Sequence, residues 1–312
     1  MINKEKPVFI WPMARTGGTL FATMLGVHSE LAMSYEIYED CLCEVKGEYM
    51  SPVMARDILL QSAIDAGLSV EPSDLSDAQI KKWISNISQP PFRSFVARAH
   101  RGALDPYILI KTLEEFIETG KGFELLEHRL DFIEILMKYK AEFDGKTYWG
   151  GKAKVSLEVL CNKYPDACIF MMVRDGRDML TSRMNVGAFD KDPKLIASEW
   201  VEHMELFDRV KKTHKGVMHQ VSYEKLVYEP VSELKKVCNC IEIDYEESMV
   251  GYEQQDLTLL KNPYGHLSAT QISKGINDES IGRWKTELPK EALTAFEEVA
   301  GEKLREKGYV VG

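Results

Sequence analysis

Near its start the chain places one cation beside two glycines, in the run Arg15-Thr16-Gly17-Gly18-Thr19. Glycine lets the backbone curl tightly around an anion, and the free N–H groups at the beginning of a following helix point at such a ligand. Arginine adds a permanent positive charge and several hydrogen-bond donors. The run therefore predicts a phosphate-binding loop.

The residues around this loop predict a strand before it and a helix after it. Residues 8–11 form an apolar run, and the apolar residues Leu20, Phe21, Met24 and Leu25 recur at helical spacing. The motif G-x-x-x-x-G-K-[ST] of ATP-binding loops is not met, because no lysine follows the second glycine and the cation precedes both. A tight strand-to-helix connection that binds no ligand is the alternative.

A second anion site is predicted where residues 168–173, a continuous apolar run, end in Arg174. Ser182 follows eight residues later, about two turns into the next predicted helix. A guanidinium at the end of a strand and a hydroxyl on the following helix can reach one phosphate together. The alternative is that Arg174 and the charges after it only cap the helix and face solvent.

The rest of the chain alternates predicted strands and helices, apart from residues 40–148, where the apolar spacing is helical throughout. This order predicts an α/β fold with a P-loop-like parallel sheet covered by helices on both faces. We expect a single domain over residues 1–312, with a helical insertion on the substrate side at about 40–148. The carboxyl ends of the strands would bring Arg15, Glu36, Arg174 and Tyr223 to one edge of the sheet.

The composition limits the kinds of molecule that the protein is expected to bind. The formal net charge of -10 weighs against a nucleic-acid partner. No apolar run is long enough to insert into a membrane, and no apolar leader precedes the first strand, so we expect a cytoplasmic protein. The six cysteines form no C-x-x-C pair, which favours reduced thiols over a metal site. Nothing in the sequence indicates the oligomeric state.

In this order the two motifs resemble those of the sulfotransferases. The first resembles the loop that holds the 5′-phosphosulfate, and the second resembles the 3′-phosphate motif. Further on, residues 223–227 resemble the family's Tyr-Glu-x-Leu-Val segment, and residues 282–285 its Gly-x-Trp-Lys segment. The chain is identified as a member of this family, closest to the bacterial and tyrosylprotein-sulfotransferase-like branch. The resemblance extends from about residue 7 to 310 and is weakest across the insertion.

The resemblance implies transfer of a sulfuryl group from 3′-phosphoadenosine 5′-phosphosulfate (PAPS), releasing 3′-phosphoadenosine 5′-phosphate (PAP), without a metal. The acceptor would be a hydroxyl or amine of a small molecule, glycan or peptide, and the insertion would select it. Two alternatives remain. One is an ATP-dependent phosphotransferase, against which the missing lysine beside Gly18 argues, and the other is a non-catalytic PAP- or nucleotide-binding protein of the same fold.

The resemblance also implies three catalytic residues. Arg15 would stabilise the leaving phosphate, and Lys152 would assist the sulfuryl oxygens, although Lys154 stands where the family usually has proline. Glu36 matches the catalytic glutamate of the tyrosylprotein sulfotransferases, while Tyr35 replaces an acidic residue next to it. We expect Glu36 to be a general base with a raised pKa. The alternative is a glutamate on the surface.

The implied binding residues lie around the nucleotide. The N–H groups of Thr16, Gly17, Gly18, Thr19 and Leu20, together with Arg15, would hold the 5′-phosphate. Arg174 and Ser182 would hold the 3′-phosphate, with Tyr223 near the nucleotide and Lys274 and Arg283 closing over it. Trp284 is expected in the core, and His100 and His128 are expected to be structural rather than in contact with the acceptor.

Overall fold

Five parallel strands form the central sheet, in the order β2-β5-β1-β6-β7. The computed structural model describes residues 6–36, 44–45, 48–68, 75–187, 190–264 and 266–311. The strands are β1 (Val8–Trp11), β2 (Leu31–Ser34), β3 (Glu44–Val45), β4 (Glu48–Tyr49), β5 (Tyr148–Lys152), β6 (Cys168–Val173) and β7 (Val217–Ser222). Strands β3 and β4 form a separate antiparallel pair.

Helices fill most of the remaining described chain. In chain order they are α1 (Gly18–Gly26), α2 (Pro52–Ala66), α3 (Asp77–Ser85), α4 (Pro90–Arg101), α5 (Pro106–Glu118), α6 (Leu126–Phe143), α7 (Leu157–Lys163), α8 (Gly176–Met184), α9 (Pro193–Val210), α10 (Tyr223–Tyr228), α11 (Pro230–Ile241), α12 (Thr258–Lys261), α13 (Ala269–Ile272), α14 (Trp284–Glu287) and α15 (Lys290–Glu306). Proline stands in the first turn of α2, α4, α5, α9 and α11, where its missing N–H costs no hydrogen bond. Among these helices none is both long and apolar enough to span a membrane.

The alternation of side chains along the strands produces two cores, one on each face of the sheet. In β1, Phe9 and Trp11 belong to one cluster, which also contains buried residues of α2, α5, α6, α9 and α15. Val8 and Ile10 point to the other cluster, with buried residues of α1 and α11. Helices therefore cover both faces of a parallel sheet, and the predicted fold class is confirmed.

Most of the described residues between β2 and β5 belong to the helices α2–α6. These helices pack through an aromatic group in which Phe116 stacks on Phe123 and meets the ring of Phe132 edge to face. The short pair β3 and β4 was not predicted, since strands of two residues carry no periodicity. Helix α6 packs against β2 and β5, which fixes the insertion beside one half of the sheet.

Strand β5 carries a Gly-Gly pair that local propensity does not assign to a strand. A Cβ atom on Gly150 would lie 1.9 Å from the carbonyl oxygen of Val8 on the neighbouring strand. Only glycine therefore allows β1 and β5 to approach this closely. The close pairing places Lys152, the last residue of β5, beside the loop that follows β1.

Candidate active site at the carboxyl ends of the strands

A cavity of about 550 Å³ opens at the carboxyl ends of the strands. Each strand of the sheet delivers at least one predicted site residue to its wall. The predicted residues that line it are Arg15, Gly17, Gly18, Thr19, Leu20, Glu36, Lys152, Arg174 and Tyr223. The structure therefore brings together most of the residues that the sequence singled out.

The loop between β1 and α1 has an alternating backbone. Arg15 has φ 71° and Gly17 has φ 96°, and such alternation is the geometry in which successive N–H groups form a concave anion site. The buried Thr16 hydroxyl donates to the carbonyl oxygen of Met13 at 2.8 Å, which fixes the turn. A Cβ atom on Gly17 would lie 2.4 Å from the ring of Tyr223. Both the positive φ and this close contact therefore require glycine at the position.

Arg15 crosses the cavity between two other segments. Its Nε donates to the Ser182 hydroxyl on α8 at 2.9 Å, and its Nη1 donates to the Ser268 hydroxyl at 3.0 Å. Burial, and then the charge of Arg174, lower the pKa of Arg15. The sequence predicts that Ser182 binds a phosphate together with Arg174, whereas in the structure the Ser182 hydroxyl is bonded to Arg15 and does not line the cavity.

Arg174 follows β6 and lies on the other side of the loop. Its Nη1 donates to the carbonyl oxygen of Arg15 at 2.9 Å, and its Nη2 donates to that of Ser280. The guanidinium lies over the ring of Tyr223, 4.7 Å from its centre. The Nε atom is buried and has no hydrogen-bond partner among the described residues. Arg174 thus retains one buried donor for an anion.

Glu36 follows β2 and is surrounded by donors. Its Oε1 lies 3.2 Å from Nε2 of His266 and 3.5 Å from Nζ of Lys152, while its Oε2 lies 3.4 Å from Nη1 of Arg101. Burial alone would raise the pKa of Glu36, but the hydrogen bond from His266 and the charges of Lys152 and Arg101 outweigh it and hold the pKa well below its usual range. The expected raised pKa is therefore wrong.

Lys152 connects Glu36 to the phosphate loop. Besides the contact with Glu36, its Nζ donates to the Thr19 hydroxyl at 3.1 Å. The side chain is only 7% exposed, and burial lowers the pKa of Lys152, opposed by the charge of Glu36. A cation thus lies between a carboxylate and the first turn of α1.

Other predicted residues lie outside the cavity wall. Lys274 forms an ion pair with Glu279 at 2.6 Å, and Arg283 forms one with Glu287 at 2.7 Å. Trp284 is half-buried rather than in the core, and its ring lies under the Arg177 guanidinium at 3.8 Å. The short α14 that carries Trp284 has no buried residue, which is why the prediction of a core position was wrong.

The two histidines of the insertion have structural partners. His100 is buried, with Nδ1 3.0 Å from the Asp105 carboxylate, and the ring of His128 contacts the carbonyl oxygen of Gly122. Neither lines the cavity. Cys41 and Cys43 lie outside the described residues, and the four described cysteines are free thiols. Among the described residues no three His, Cys, Asp or Glu side chains gather as a metal site requires.

The cavity residues that the sequence did not predict include Arg98, Arg101, Tyr264, His266 and Ser268. The first two lie in the last turn of α4, where a cluster of basic residues was the available signal. The other three lie in an irregular polar segment that has no periodicity to interpret. Only the folded chain brings either group to Glu36 and Arg15.

A sequence model described as the sulfotransferase family matches residues 7–247. Among curated proteins, protein-tyrosine sulfotransferase A of Caenorhabditis elegans is 23% identical over 155 residues, a match that covers 47% of this chain and 40% of the relative. The chain thus spans less than half the length of that relative.

Two solved structures are similar over nearly the whole chain. The sulfotransferase domain of the Synechococcus PCC 7002 olefin synthase has a TM-score of 0.59 at 17% identity, covering 99% of this chain and 97% of that domain. The sulfotransferase domain from the curacin biosynthetic pathway has a TM-score of 0.54 at 13% identity, covering 98% and 99%. At these identities the similarity shows the fold, and the match to the family model, which covers most of the chain, shows that the chain belongs to the sulfotransferase family.

Proposed function

We propose that this chain is an enzyme that transfers a sulfuryl group from PAPS to a hydroxyl, or less often an amine, of an acceptor and releases PAP. The observation that carries the proposal is the position of Lys152. Its Nζ lies 3.1 Å from the Thr19 hydroxyl in the phosphate loop and 3.5 Å from the Glu36 carboxylate. A donor phosphate, a cation and a base in this order are what in-line sulfuryl transfer requires.

The residues of the cavity fit the two anionic ends of the donor. The concave loop over residues 16–20, with Arg15, would bind the 5′-phosphate, and the buried Nε of Arg174 would donate to the 3′-phosphate. Ser182 would act through Arg15, to which it is bonded. Lys274 and Arg283 would join the nucleotide only after leaving Glu279 and Glu287.

The chemical step needs few groups. The bond between sulfur and the bridging phosphate oxygen breaks, a bond from sulfur to the acceptor oxygen forms, and the acceptor proton leaves. Arg15 and Lys152 would stabilise the charge that develops on the phosphate, and Glu36 would take the proton. An acceptor that reaches Glu36 has to displace His266 or Arg101, which removes a donor that lowers the pKa of Glu36 and so strengthens the base.

The acceptor would enter beside the insertion, whose helix α4 supplies Arg98 and Arg101 to the cavity. The phosphate loop, Glu36 and α4 belong to one sheet and the helices on it, which supports a single catalytic domain over residues 1–312. The cytoplasmic location and the lack of a nucleic-acid partner stay predictions from the sequence.

Thermal unfolding with PAP, with ADP, and with ATP plus Mg²⁺ tests the donor site. A ligand at a hundred times its dissociation constant stabilises the folded state by about 2.7 kcal/mol, so we expect a rise in Tm of about 4 °C with PAP and smaller rises with the others. The variant Arg174→Gln should lose the response to PAP, while Arg305→Gln, on the distant helix α15, should retain it. A response to ATP and Mg²⁺ alone would replace the proposal with a phosphotransferase.

A further inference from the structure

The cavity is strongly cationic in a chain that is acidic overall. Within the described residues, six cationic side chains and a single carboxylate line it, although the chain has a formal net charge of -10. The cations are Arg15, Arg98, Arg101, Lys152, Lys154 and Arg174, and the carboxylate is Glu36. Such a local excess attracts anions into the cavity.

The proposed donor accounts for only part of this charge. Arg15, Lys152 and Arg174 lie around the phosphate loop and at the ends of β5 and β6, where the two phosphates would bind. Arg98 lies on α4, in the insertion, and therefore on the acceptor side. The phosphates of PAPS, bound at these positions, would therefore leave Arg98 without an anionic partner.

Arg98 has no acidic partner within the part of the chain that the structure describes. Among the described residues it has no ion pair, and its Nε atom is buried and makes no hydrogen bond. A partly buried guanidinium with an unsatisfied donor is costly unless an anion completes it. The side chain is thus prepared for a negatively charged group that none of the described residues supplies.

The position of Arg98 relates such a group to the reaction centre. Arg98 and Arg101 are three residues apart on α4, so they share one face of the helix. Arg101 contacts Glu36 at 3.4 Å. An anion bound by Arg98 would therefore lie about one helical turn, roughly 5 Å, from the group that contacts the general base.

The opposite wall limits the size of the acceptor. His266 contacts Glu36 at 3.2 Å, and Ser268 contacts Arg15 at 3.0 Å. His266 and Ser268 therefore lie across the cavity, close to the proposed base, and Tyr264 also lines it. This arrangement favours a small acceptor over an extended polymer that would have to lie along an open groove.

We propose that the acceptor is a small hydroxy acid, whose carboxylate binds Arg98 while its hydroxyl faces Glu36. The inference rests on the proposed function, because it assigns the donor phosphates to Arg15, Lys152 and Arg174. It goes further by naming the class of acceptor and the side chain that selects it.

Calorimetric titration of the PAP-saturated protein tests this assignment. The probes are pairs that differ only in charge: para-hydroxyphenylacetate with its amide, and glycolate and lactate with theirs. A charge-assisted hydrogen bond favours the carboxylate by about tenfold to a hundredfold in Kd. We expect that preference in the native chain and in Arg98→Lys, and its loss in Arg98→Gln.

The matched control is Arg93→Gln on the same helix. Arg93 donates to the carbonyl oxygen of Ser85 at 3.4 Å and does not line the cavity, so this variant should keep the full preference. Retained affinity of Arg98→Gln for PAP shows that the variant is folded.

The outcomes separate the two proposals. If the native chain fails to bind PAP, the proposed function is wrong. If PAP binds but the carboxylates bind no better than their amides, or none of the probes binds, the hydroxy-acid acceptor is wrong and the donor site stands. An unchanged preference in Arg98→Gln also overturns the assignment to Arg98.

Discussion

The Nε atom of Arg15 donates a hydrogen bond to the Ser182 hydroxyl at 2.9 Å, although the two residues are 167 positions apart in the chain. Arg15 belongs to the loop after β1, and Ser182 lies on the helix after β6. The carbonyl oxygen of Arg15 also accepts a hydrogen bond from Arg174. The two predicted phosphate motifs are therefore one bonded unit, and a change in one should alter the other.

The variant Ser182→Ala tests this coupling. It removes the acceptor of Arg15 Nε, and hydrogen bonds to charged groups contribute about 1.5–3 kcal/mol. We expect kcat/KM for PAPS to fall by about tenfold to a hundredfold, measured as sulfated product. Ser273→Ala, which removes an exposed hydroxyl that donates to the carbonyl oxygen of Thr270, is the control. Unchanged kcat/KM in Ser182→Ala would show that the hydroxyl does not position Arg15.

A second prediction concerns the pH dependence of turnover. The donors around Glu36 hold its pKa well below the usual range, so the carboxylate stays ionised as the pH falls from 8 to 5. We therefore expect no loss of kcat/KM from Glu36 over that interval, and about a 10²- to 10⁴-fold loss of kcat in Glu36→Gln.

Removing the hydrogen-bond donors around Glu36 should make turnover more sensitive to acid. In His266→Ala and Arg101→Met the pKa of Glu36 should rise, so the loss of activity on the acid side should begin at a higher pH than in the native chain. A rate profile of either variant that coincides with that of the native chain down to its acid limb would contradict this role of the two donors. Near-full turnover in Glu36→Gln would exclude Glu36 as the base.

The sequence predicted the parts of this site that depend on neighbouring residues. Contiguous apolar residues identified β1 and β6, and the glycines and the cation after β1 identified the loop. Arg15, Glu36, Arg174 and Tyr223 were placed correctly because the carboxyl ends of parallel strands meet at one edge.

What the sequence did not predict depends on distant contacts. Strand β5 requires glycine because Val8 lies against it, a reason that exists only in the paired sheet. The low pKa of Glu36 depends on Arg101 and His266, which come from the insertion and from an irregular segment far along the chain. No local pattern relates these positions to Glu36.

A third prediction is that Gly17→Ala both destabilises the fold and removes PAP binding. Alanine at φ 96° is strained by about 1–3 kcal/mol, and its Cβ would also meet the Tyr223 ring at 2.4 Å. The matched control is Gly67→Ala, at φ 71° with no atom within 4 Å of the added Cβ. The control isolates the backbone strain, so an equal loss of stability in both variants would mean that the contact with Tyr223 is easily relieved.

A fourth prediction concerns acid stability. His203 stacks on Trp11 with 3.7 Å between ring centres, and burial, assisted by the charge of Arg183, lowers the pKa of His203 from 6.5 to about 3. The unfolded chain therefore binds a proton that the folded chain does not. Below pH 6.5 this group lowers the free energy of unfolding as the pH falls, by about 1.4 kcal/mol per pH unit.

Urea unfolding at pH 7, 6 and 5 measures this effect. The free energy of unfolding should depend less steeply on pH in His203→Phe than in the native chain, and as steeply as in the native chain in the surface variant Lys212→Gln. Parallel curves for His203→Phe and the native chain would assign the acid sensitivity to other groups.

The last prediction concerns Asp178, which positions the segment that carries Arg283. Its buried carboxylate accepts the N–H groups of Gly282 at 2.7 Å and Trp284 at 3.0 Å, and just before this turn the carbonyl oxygen of Ser280 accepts from Arg174. Asp178→Asn keeps the shape of the side chain but can accept only one of the two N–H groups well, so the turn should loosen beside the proposed 3′-phosphate site.

Because Asp178 does not touch the reacting atoms, we expect the Kd for PAP and the KM for PAPS to rise by about tenfold while kcat changes much less. Glu302→Gln, at an exposed position of α15 that does not line the cavity, should leave both constants near their native values. A fall in kcat at constant KM in Asp178→Asn would contradict a positioning role, since it would mean that the carboxylate acts in the transition state rather than on the binding of the nucleotide.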